Sequence, residues 1–447
     1  MPVIKTRRGL DLPIHGAADS TEVEDRLDVG HVGVVPPESI GLKCRPLVNE
    51  GDRVRAGSPL YVDRRDPDVV HTAPAAGTVT AIERGARRAV LSIRIERDGD
   101  EKESFEVGGA TADAAALRRV LQASGLWANF RQRPFDRVPQ SDATPDAIVV
   151  TAMDTRPLAP RPQDVLAGAR DAFRTGLEAI AKLSGGKTYL CVGTEADWSA
   201  WTAGGVETAV FDGPHPAGTP GLHIHRLHPV GAGRTAWHIG YQGVAEIGRL
   251  LTSGNVPIDR TVAICGPNAV KPRLVRTRRG AAMDELLAGE SDARDLRAID
   301  GSVFEGRECT PGTPAGYLGR YGNQVTLVEN DTQRRLLAWA LPLDGRYTTT
   351  NTLWDKWVRK RLVFDTDTNG SLRAIVPIGQ YEKVMPFDVL PTQLIKAVVS
   401  GDVELAEKLG VLEMAEEDIA LCEYVDNSKQ PLSKMLRDML TDIENEG

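Results

Sequence analysis

Cysteine is scarce and scattered in this sequence. Its 447 residues include five cysteines, namely Cys44, Cys191, Cys265, Cys309 and Cys422. Iron–sulfur clusters and structural zinc sites usually use closely spaced cysteine pairs, and no CxxC motif occurs here. An odd, dispersed set of cysteines in a chain without a secretory signal predicts reduced thiols that pack inside the protein.

Long apolar runs and an excess of basic residues are also lacking. No stretch of ~18 consecutive apolar residues is present, so we expect no membrane-spanning helix. The N-terminus lacks the apolar core of a secretory signal, which favours a protein on the cytoplasmic side of a membrane. The net charge of -8 argues against a nucleic-acid partner, because such proteins usually carry basic surfaces.

What the chain does contain predicts several folded domains. With 41% hydrophobic and 26% charged residues, it is typical of soluble globular proteins and long enough for about three domains of ~150 residues. Short Val-rich runs broken by turn signals predict an all-β domain over residues 1–105. The Ala- and Leu-rich segment that follows, ending in Pro-punctuated chain, is predicted to be a connector over 106–145.

The rest of the chain is predicted to be α/β, then α+β, then helical. Residues 146–258 alternate apolar strands with helices such as 164–187 and 241–255, which predicts an α/β layer with parallel strands. Residues 259–312 combine short strands around one helix, a small α+β module. Residues 313–447 are mixed and then helical, with leucines stacked at Leu405, Leu409 and Leu412, and again at Leu436, Leu440 and Ile443.

The stretch from Val48 to Ile82, "VNEGDRVRAGSPLYVDRRDPDVVHTAPAAGTVTAI", is similar to a biotin- or lipoyl-carrying barrel-sandwich domain. Such carriers attach the cofactor to a lysine at a hairpin tip, seven residues before the Ala of the next strand. Counting back from Ala73 gives Asp66, and no lysine lies between Lys43 and Lys102. Because arginine stays protonated and forms no carrier amide, the barrel is predicted to carry no covalent cofactor. We expect its charged tip to face a partner or a neighbouring domain.

Two glycine-rich motifs suggest nucleotide binding only weakly. "SGGKT" (184–188) is half of a phosphate-binding loop, but it closes a helix instead of opening one, so a helix C-cap is favoured. "GAGRTA" (231–236) matches a dinucleotide fingerprint, yet "TAWHIGY" follows where a helix should begin. A turn between strands is therefore the favoured interpretation.

Six of the eight histidines are considered together as a cluster, namely His71, His215, His223, His225, His228 and His238. On a strand, His223 and His225 would point to one face, and with His215 they would supply three imidazoles for a metal. No carboxylate or cysteine is spaced to complete such a site, so a structural or interface role is favoured and no metal is predicted. The basic clusters 273–280 and 358–362 and the acidic run 413–423 are interpreted as solvated faces.

Longer motifs identify a family resemblance over nearly the whole chain. The chain resembles the A subunit of the bacterial sodium-translocating NADH:quinone reductase. The motifs that carry this resemblance are "KTRRGLDLPIHG" (5–16), "SGLWANFRQRPFDRVP" (124–139), "VTAMDTRPLAP" (150–160), "FDGPHPAGTPGLHIH" (211–225), "GPNAVKPRLVRTRRGA" (266–281), "YLGRY" (317–321), "VPIGQYEKVMPFDVLPT" (376–392) and "EEDIALC" (416–422).

The resemblance implies a peripheral subunit on the cytoplasmic face of the bacterial inner membrane. Its partners would be five other subunits of a complex that moves electrons from NADH to ubiquinone and exports Na+. It implies action at the quinone-reducing end with no tightly or covalently bound redox cofactor. It also implies that 146–258 is a degenerate Rossmann-like domain and that 259–312 is a β-grasp-like (SLBB) module. The family often has Cys, three residues, then Cys-Pro near the C-terminus, whereas here Asp426 stands in place of the second cysteine.

Three alternatives remain beside this interpretation. They are a purely structural docking subunit of the same complex, the related C subunit of an Rnf-type electron-transport complex, and a soluble flavoenzyme. The Rnf protein should carry two ferredoxin-like cysteine clusters, which five isolated cysteines do not supply.

No catalytic side chain is predicted, because a structural role explains each candidate motif better than a catalytic one. A quinone would need an apolar slot with one or two hydrogen-bond donors. The predicted quinone-contact candidates are Trp127, Phe130 and Phe135 in the connector, and His215, His223 and His225.

Overall fold

The computed structural model describes residues 3–330, 362, 364–368 and 370–446. The strands are β1 (Val3–Lys5), β2 (Val23–Arg26), β3 (His31–Val34), β4 (Cys44–Pro46), β5 (Arg53–Val54), β6 (Pro59–Asp63), β7 (Asp66–Thr72), β8 (Gly77–Arg84), β9 (Val90–Arg97), β10 (Arg131–Arg133), β11 (Ala147–Ala152), β12 (Lys187–Gly193), β13 (Val206–Asp212), β14 (Ala236–Gly240), β15 (Asp259–Cys265), β16 (Arg273–Arg278), β17 (Leu296–Asp300), β18 (Arg307–Glu308) and β19 (Gln324–Glu329).

The α-helices follow the same chain order. They are α1 (Ala114–Ala123), α2 (Pro162–Val165), α3 (Arg170–Ile180), α4 (Pro220–Leu227), α5 (Tyr241–Ser253), α6 (Met283–Leu286), α7 (Gln380–Val384), α8 (Pro391–Ser400), α9 (Val403–Lys408), α10 (Glu416–Val425) and α11 (Leu432–Glu446). Short 3-10 turns occur at Pro36–Glu38, Ala86–Arg88, Leu126–Asn129, Ser199–Trp201 and Val411–Glu413.

The N-terminal domain is the predicted barrel-sandwich hybrid. One sheet has the order β3-β9-β8-β5 and the other β4-β6-β7, and alternate residues such as Leu60, Val79 and Ile93 fill the space between them without exposure. The first residues of the chain lie outside this barrel. β1 pairs in parallel with β13 of the α/β sheet, and β2 pairs in parallel with β16 of the next module.

The second domain is a Rossmann-like α/β layer, as predicted. Its sheet has the order β1-β13-β12-β11-β14-β10, parallel except for β10 at the edge. Every residue of β11 is buried, because α3 and α5 cover one face of the sheet and α4 lies against the other. Helices α3 and α5 cross at glycines: a Cβ on Gly248 would lie 1.7 Å from the Ala172 carbonyl oxygen.

Two details of this domain differ from the prediction. The helix expected over 164–187 is broken at Gly168, whose φ is +76°, and α3 ends at Ile180. Gly185 and Gly186 therefore do not cap it. They let the chain approach β11 closely, since a Cβ on Gly186 would lie 2.2 Å from the Asp146 carbonyl oxygen. The "GAGRTA" segment is a turn as predicted, but it follows α4 instead of a strand.

The third module is a mixed sheet in the order β18-β17-β19-β15-β16-β2, with α6 beside it. It shares a hydrophobic core with the barrel, in which Val32 and Ile95 pack near Val262 and Leu327. The basic cluster 273–280, interpreted as a solvated face, is mostly buried. Arg273 is 7% exposed and is held by Glu24 and Glu290.

The C-terminal region is helical, as predicted. Leu436, Leu440 and Ile443 do share the long helix α11, whereas α9 ends at Lys408, so Leu405, Leu409 and Leu412 do not form one continuous stripe. Basic residues 358–361 lie outside the described residues, as does much of the mixed part at the start of the region 313–447. In the described parts of the chain, no helix is long and apolar enough to cross a bilayer.

Candidate functional site

A cavity of about 460 Å³ lies at the carboxyl ends of β11 and β14. These two strands are neighbours in the sheet, and the strand order β13-β12-β11-β14 reverses between them, which makes this the topological switch point of the fold. Ligands of open α/β sheets bind at this position. We call it the switch-point cavity, and its lining includes Thr151, Asp154, Arg156, Ile239, Tyr241, Asp300, Glu305, Arg307 and Glu417.

Arg156 crosses the switch-point cavity and is surrounded by carboxylates. Its Nη1 lies 3.2 Å from Asp154 Oδ1, its Nε 2.5 Å from Glu305 Oε1, and its Nη2 2.5 Å from Glu417 Oε2. A nucleotide phosphate instead needs a glycine loop whose backbone N–H groups face the anion. The segment after β11, "MDTRPLAP", has no glycine, so the residues present do not fit a dinucleotide.

A second buried guanidinium extends this arrangement toward the connector. Arg133 is fully buried, with Nε 3.1 Å from Asp136 Oδ1, Nη1 2.8 Å from Asp418 Oδ2 and Nη2 2.8 Å from Glu417 Oε1. Glu417 therefore bridges the two arginines. We call this set the ionic network; it comprises Arg131, Arg133, Asp136, Asp154, Arg156, Glu305, Glu417 and Asp418.

The acidic run 413–423 is thus not the solvated face expected from the sequence. Glu417 is 9% exposed and Asp418 2% exposed, and both lie at the start of α10. The expectation failed because the partners of these acids, Arg133 and Arg156, lie in sequence-distant parts of the chain. The ionic network attaches the C-terminal helices to the connector and to the α/β domain.

Burial raises the pKa values of the carboxyl groups in this network, whereas pairing with arginine lowers them. Burial raises the pKa of Glu305 to about 7, although Arg156 opposes the shift. Burial likewise raises the pKa of Asp418 to about 6 against the attraction of Arg133. For Asp136, burial would raise the pKa, but Arg131 and Arg133 outweigh it and hold the pKa well below its usual range.

The barrel hairpin, whose missing lysine excluded a carrier role, meets the connector. Arg64 and Arg65 form the turn between β6 and β7, and Arg65 Nη2 lies 2.9 Å from Asp63 Oδ2. Asp66 Oδ2 accepts a hydrogen bond of 2.6 Å from the Ser141 backbone N–H. The tip therefore faces a neighbouring part of the same chain, which was one of the two expectations.

A second cavity, of about 740 Å³, lies between this tip, the connector and the end of α11. We call it the tip cavity. Apolar walls are supplied by Ile40, Leu42, Val69, Pro134, Phe135 and Val138, and polar or charged groups by Asp63, Arg65, Asp66, His71, Gln132, Arg137, Ser141 and Glu444, among others. Arg137 pairs with Glu444 across one side.

A strained turn of the connector separates the two cavities. Phe135 has φ +79° and Asp136 φ +56°, left-handed conformations that non-glycine residues rarely adopt. Asp136 lines the switch-point cavity while Phe135 lines the tip cavity. The turn is held by the Asp136 carboxylate, which also accepts a 2.7 Å hydrogen bond from His238 Nε2. Strain of this kind is concentrated at functional sites.

Of the aromatic quinone-contact candidates, Phe135 alone lines a described cavity. Trp127 and Phe130 are fully buried and pack with Trp237, at ring-centroid distances of 5.1 and 5.5 Å. The Trp127 indole N–H donates to the Pro139 carbonyl at 2.9 Å. In this chain the two rings form part of the hydrophobic core beside the connector.

The histidine candidates are separated by the structure. His223 and His225 lie on helix α4 instead of a strand, so their side chains point in different directions. His223 Nε2 donates to the Ala217 carbonyl. His225 Nδ1 lies 2.8 Å from Glu413 and its Nε2 accepts from the Asp388 N–H. His215 is buried and stacks on Phe304, with ring centroids 5.1 Å apart.

These contacts leave the three imidazoles as parts of packing and domain interfaces. Among the described residues, no group of three or more His, Cys, Asp or Glu side chains is arranged to hold a metal ion. Sequence reasoning missed Arg133 and Arg156, and it counted His71 in the histidine cluster without giving it a role. The available signal was a charged or imidazole side chain inside an otherwise buried pattern, such as His71 in "VVHTAP".

Comparison with known proteins gives matches to three family models along the chain. Residues 4–98 match the model described as the NqrA N-terminal barrel-sandwich hybrid domain. Residues 112–256 match the NqrA second alpha/beta domain, and residues 261–310 match the NQRA C-terminal domain.

Full-length relatives are similar over the whole chain. Proteins named as the A subunit of the Na(+)-translocating NADH-quinone reductase are 45% identical in Saccharophagus degradans and 44% identical in Shewanella amazonensis, with 100% of both chains covered. The relative of that name in Rhodopirellula baltica is 42% identical, over 100% of this chain and 99% of its own.

Among solved structures, an NAD+-reducing [NiFe]-hydrogenase in the H2-reduced state matches with a TM-score of 0.37 and 13% identity, covering 50% of this chain and 48% of its own.

Proposed function

The chain belongs to the NqrA family, the A subunits of the Na(+)-translocating NADH-quinone reductase, and from this premise we propose that it acts at the quinone-reduction step without a redox cofactor of its own. It is part of an oxidoreductase complex that couples NADH oxidation by quinone to sodium transport. In the proposal it is peripheral, lies on the cytoplasmic face of the bacterial inner membrane, and works with five other subunits and ubiquinone.

The observation that carries the proposal is the tip cavity. Its volume of about 740 Å³ lies within the range of ~300–1,000 Å³ that small-molecule sites occupy. Phe135, Ile40 and Val138 offer apolar walls for a quinone ring, while Gln132 and Arg137 supply hydrogen-bond donors. Beside its charged walls, the tip cavity thus offers the apolar surface and the one or two hydrogen-bond donors that a quinone headgroup needs.

The switch-point cavity supports the second part of the proposal, the absence of a resident redox cofactor. Flavin mononucleotide and NADH both bring phosphate groups, and the position where a Rossmann fold holds phosphate is here occupied by Asp154, Arg156 and Glu417. An added phosphate would displace an arginine that already pairs with three carboxylates. The absorption spectrum of the purified chain tests this part, since a flavin band near full occupancy would contradict it.

The quinone assignment is tested by photoaffinity labelling of the intact complex. A photoreactive ubiquinone analogue is crosslinked in the complex purified from its membrane, with excess ubiquinone as the competing control. We expect competed label on this chain. If label reaches other subunits but never this one, the chain has a docking role only, and the quinone proposal fails.

Of the sequence-predicted contacts, Phe135 is the one that the tip cavity favours. Trp127, Phe130, His215, His223 and His225 remain proposals for contact in the assembled complex, and each is tested by replacement with Ala. A higher apparent quinone KM in a complex that still assembles supports a contact, and unchanged kinetics removes that residue.

A further inference from the structure

His71 is the second-to-last residue of strand β7 of the barrel, at the end of the strand away from the hairpin tip. The side chain is 2% exposed and stacks on Tyr61 of β6, with ring centroids 4.3 Å apart and an interplanar angle of 12°. It also lines the tip cavity. Its orientation is therefore fixed by a neighbouring aromatic ring on a pair of hydrogen-bonded strands.

Both ring nitrogens of His71 lack a hydrogen-bond partner within the described chain. This is unusual, because buried polar groups nearly always have one. Among the other buried or nearly buried histidines, His223, His225 and His238 use ring nitrogens in contacts with carbonyl, carboxylate or amide groups, and His215 leaves Nε2 but not Nδ1 without a partner. His71 is thus a buried polar group at a cavity with its hydrogen-bonding capacity unused.

The protonation state of His71 follows from its surroundings. Burial, assisted by the positive charge of Arg320, lowers its pKa to about 3. A neutral imidazole has one N–H donor and one acceptor nitrogen. It complements a neutral ligand that carries a carbonyl oxygen, and it adds no charge that such a ligand would have to desolvate.

We propose that the His71 imidazole donates a hydrogen bond to a carbonyl oxygen of the quinone headgroup in the tip cavity. This inference rests on the proposed function, because it names a residue that holds the substrate at that site. Phe135 and Val69, which also line the cavity, supply apolar surface for the ring. No group transfer by His71 is involved: it positions and polarises the carbonyl.

The test uses the complete complex carrying either His71→Phe or His71→Gln. Phenylalanine retains a ring that can stack on Tyr61 but removes both nitrogens, whereas glutamine keeps a donor and an acceptor. We expect His71→Phe to raise the apparent ubiquinone KM by roughly 3- to 10-fold, the effect of one hydrogen bond. His71→Gln should recover part of this loss. The matched control is His228→Phe, at a histidine outside the tip cavity.

A spectroscopic measurement separates hydrogen bonding from packing. In infrared difference spectra of isotope-labelled ubiquinone bound to the complex, a hydrogen-bonded carbonyl absorbs at lower frequency than a free one. His71→Phe should shift that band upward, and His228→Phe should leave it in place. A packing change alone would not remove the downshift.

The outcomes distinguish this inference from the function on which it rests. If photoaffinity label still reaches this chain while His71→Phe changes neither the KM nor the carbonyl band, the role of His71 is overturned and the quinone site stands. If label never reaches the chain in the unmodified complex, the proposed function itself fails. If the carbonyl band in His71→Phe moves up to the frequency of a free carbonyl while the label is retained, the result supports both the role of His71 and the quinone site.

Discussion

The two cavities on either side of the connector turn differ in whether their buried polar side chains have partners. In the switch-point cavity, Arg156 is shared among three carboxylates, and Glu417 links it to the fully buried Arg133. In the tip cavity, His71 is equally buried but its ring nitrogens have no partner among the described residues. The comparison teaches that the position expected from the fold to bind a ligand is filled by structural ion pairs. Tyr241 Oη and Asp300 Oδ1 at that position also lack a partner among the described residues, whereas beside the barrel an imidazole has both of its ring nitrogens unpaired.

Removal of Arg133 should have the largest effect. Arg133→Met leaves Asp136, Glu417 and Asp418 buried without this shared counter-charge, which should cost roughly 3–5 kcal/mol of the free energy of unfolding. Urea unfolding of the full chain measures the loss. The control is Lys434→Ala, which removes an exposed pair with Asp438 and should change stability by less than ~1 kcal/mol. Similar losses in both variants would contradict a structural role for the network.

Glu305 should make stability depend on pH. Its pKa is raised from 4.5 to about 7, so the folded chain binds a proton that the unfolded chain has released between these values. The resulting stabilisation is fully present below about pH 4.5 and is lost as the pH rises through about 7. Its size is at most ~3 kcal/mol.

Glu305→Gln tests this dependence. The neutral side chain should flatten the curve of unfolding free energy against pH between about 5 and about 8, relative to the unmodified chain. Asp418, whose pKa is raised to about 6, contributes in the same direction and remains in the variant. Parallel curves for the two proteins would show that Glu305 is charged throughout and would remove this part of the account.

The fold was largely predictable from the sequence, because its signals are local. The alternation of apolar runs and turns indicated the barrel, the strand–helix rhythm indicated the α/β layer, and "YQGVAEIGRLLTSGN" became α5 almost residue for residue. A short helix was harder: His223 and His225 were considered on a strand, whereas Pro220 begins the helix α4.

The candidate site was much less predictable, because its contacts are distant in sequence. Arg133 and Glu417 are 284 positions apart, so no local pattern could show that the acidic run is buried. The unused nitrogens of His71 depend on the groups that the connector places opposite β7. Phe135 was found from the sequence as an aromatic residue in a Pro-rich connector, but its position at a cavity depends on the left-handed turn.

Phe135→Ala should weaken ubiquinone binding in the tip cavity by a moderate amount. Removing the ring deletes one apolar wall, and the expected loss of ~1–2 kcal/mol corresponds to a rise of roughly 5- to 30-fold in the apparent ubiquinone KM of the intact complex. Leu390→Ala, at an exposed leucine outside both cavities, is the control. Equal kinetics in the two variants would remove Phe135 from the quinone site.

The smallest expected effect concerns the contact between the barrel tip and the connector. Asp66→Ala removes the acceptor for the Ser141 N–H and should lower the free energy of unfolding by about 1 kcal/mol. Asp68→Ala, at an exposed neighbour on the same strand, should change it by less than ~0.5 kcal/mol. No difference between the two would mean that this hydrogen bond does not hold the tip in place.

Residue-level mapping of the photoaffinity label most directly tests which of the two cavities receives the quinone. The labelled complex is digested and the modified residues are identified by mass spectrometry, with ubiquinone competition defining specific label. We predict specific label on the walls of the tip cavity, at residues 132–143 or 63–71. Specific label at 151–156 or 300–307, around the switch-point cavity, would contradict the account.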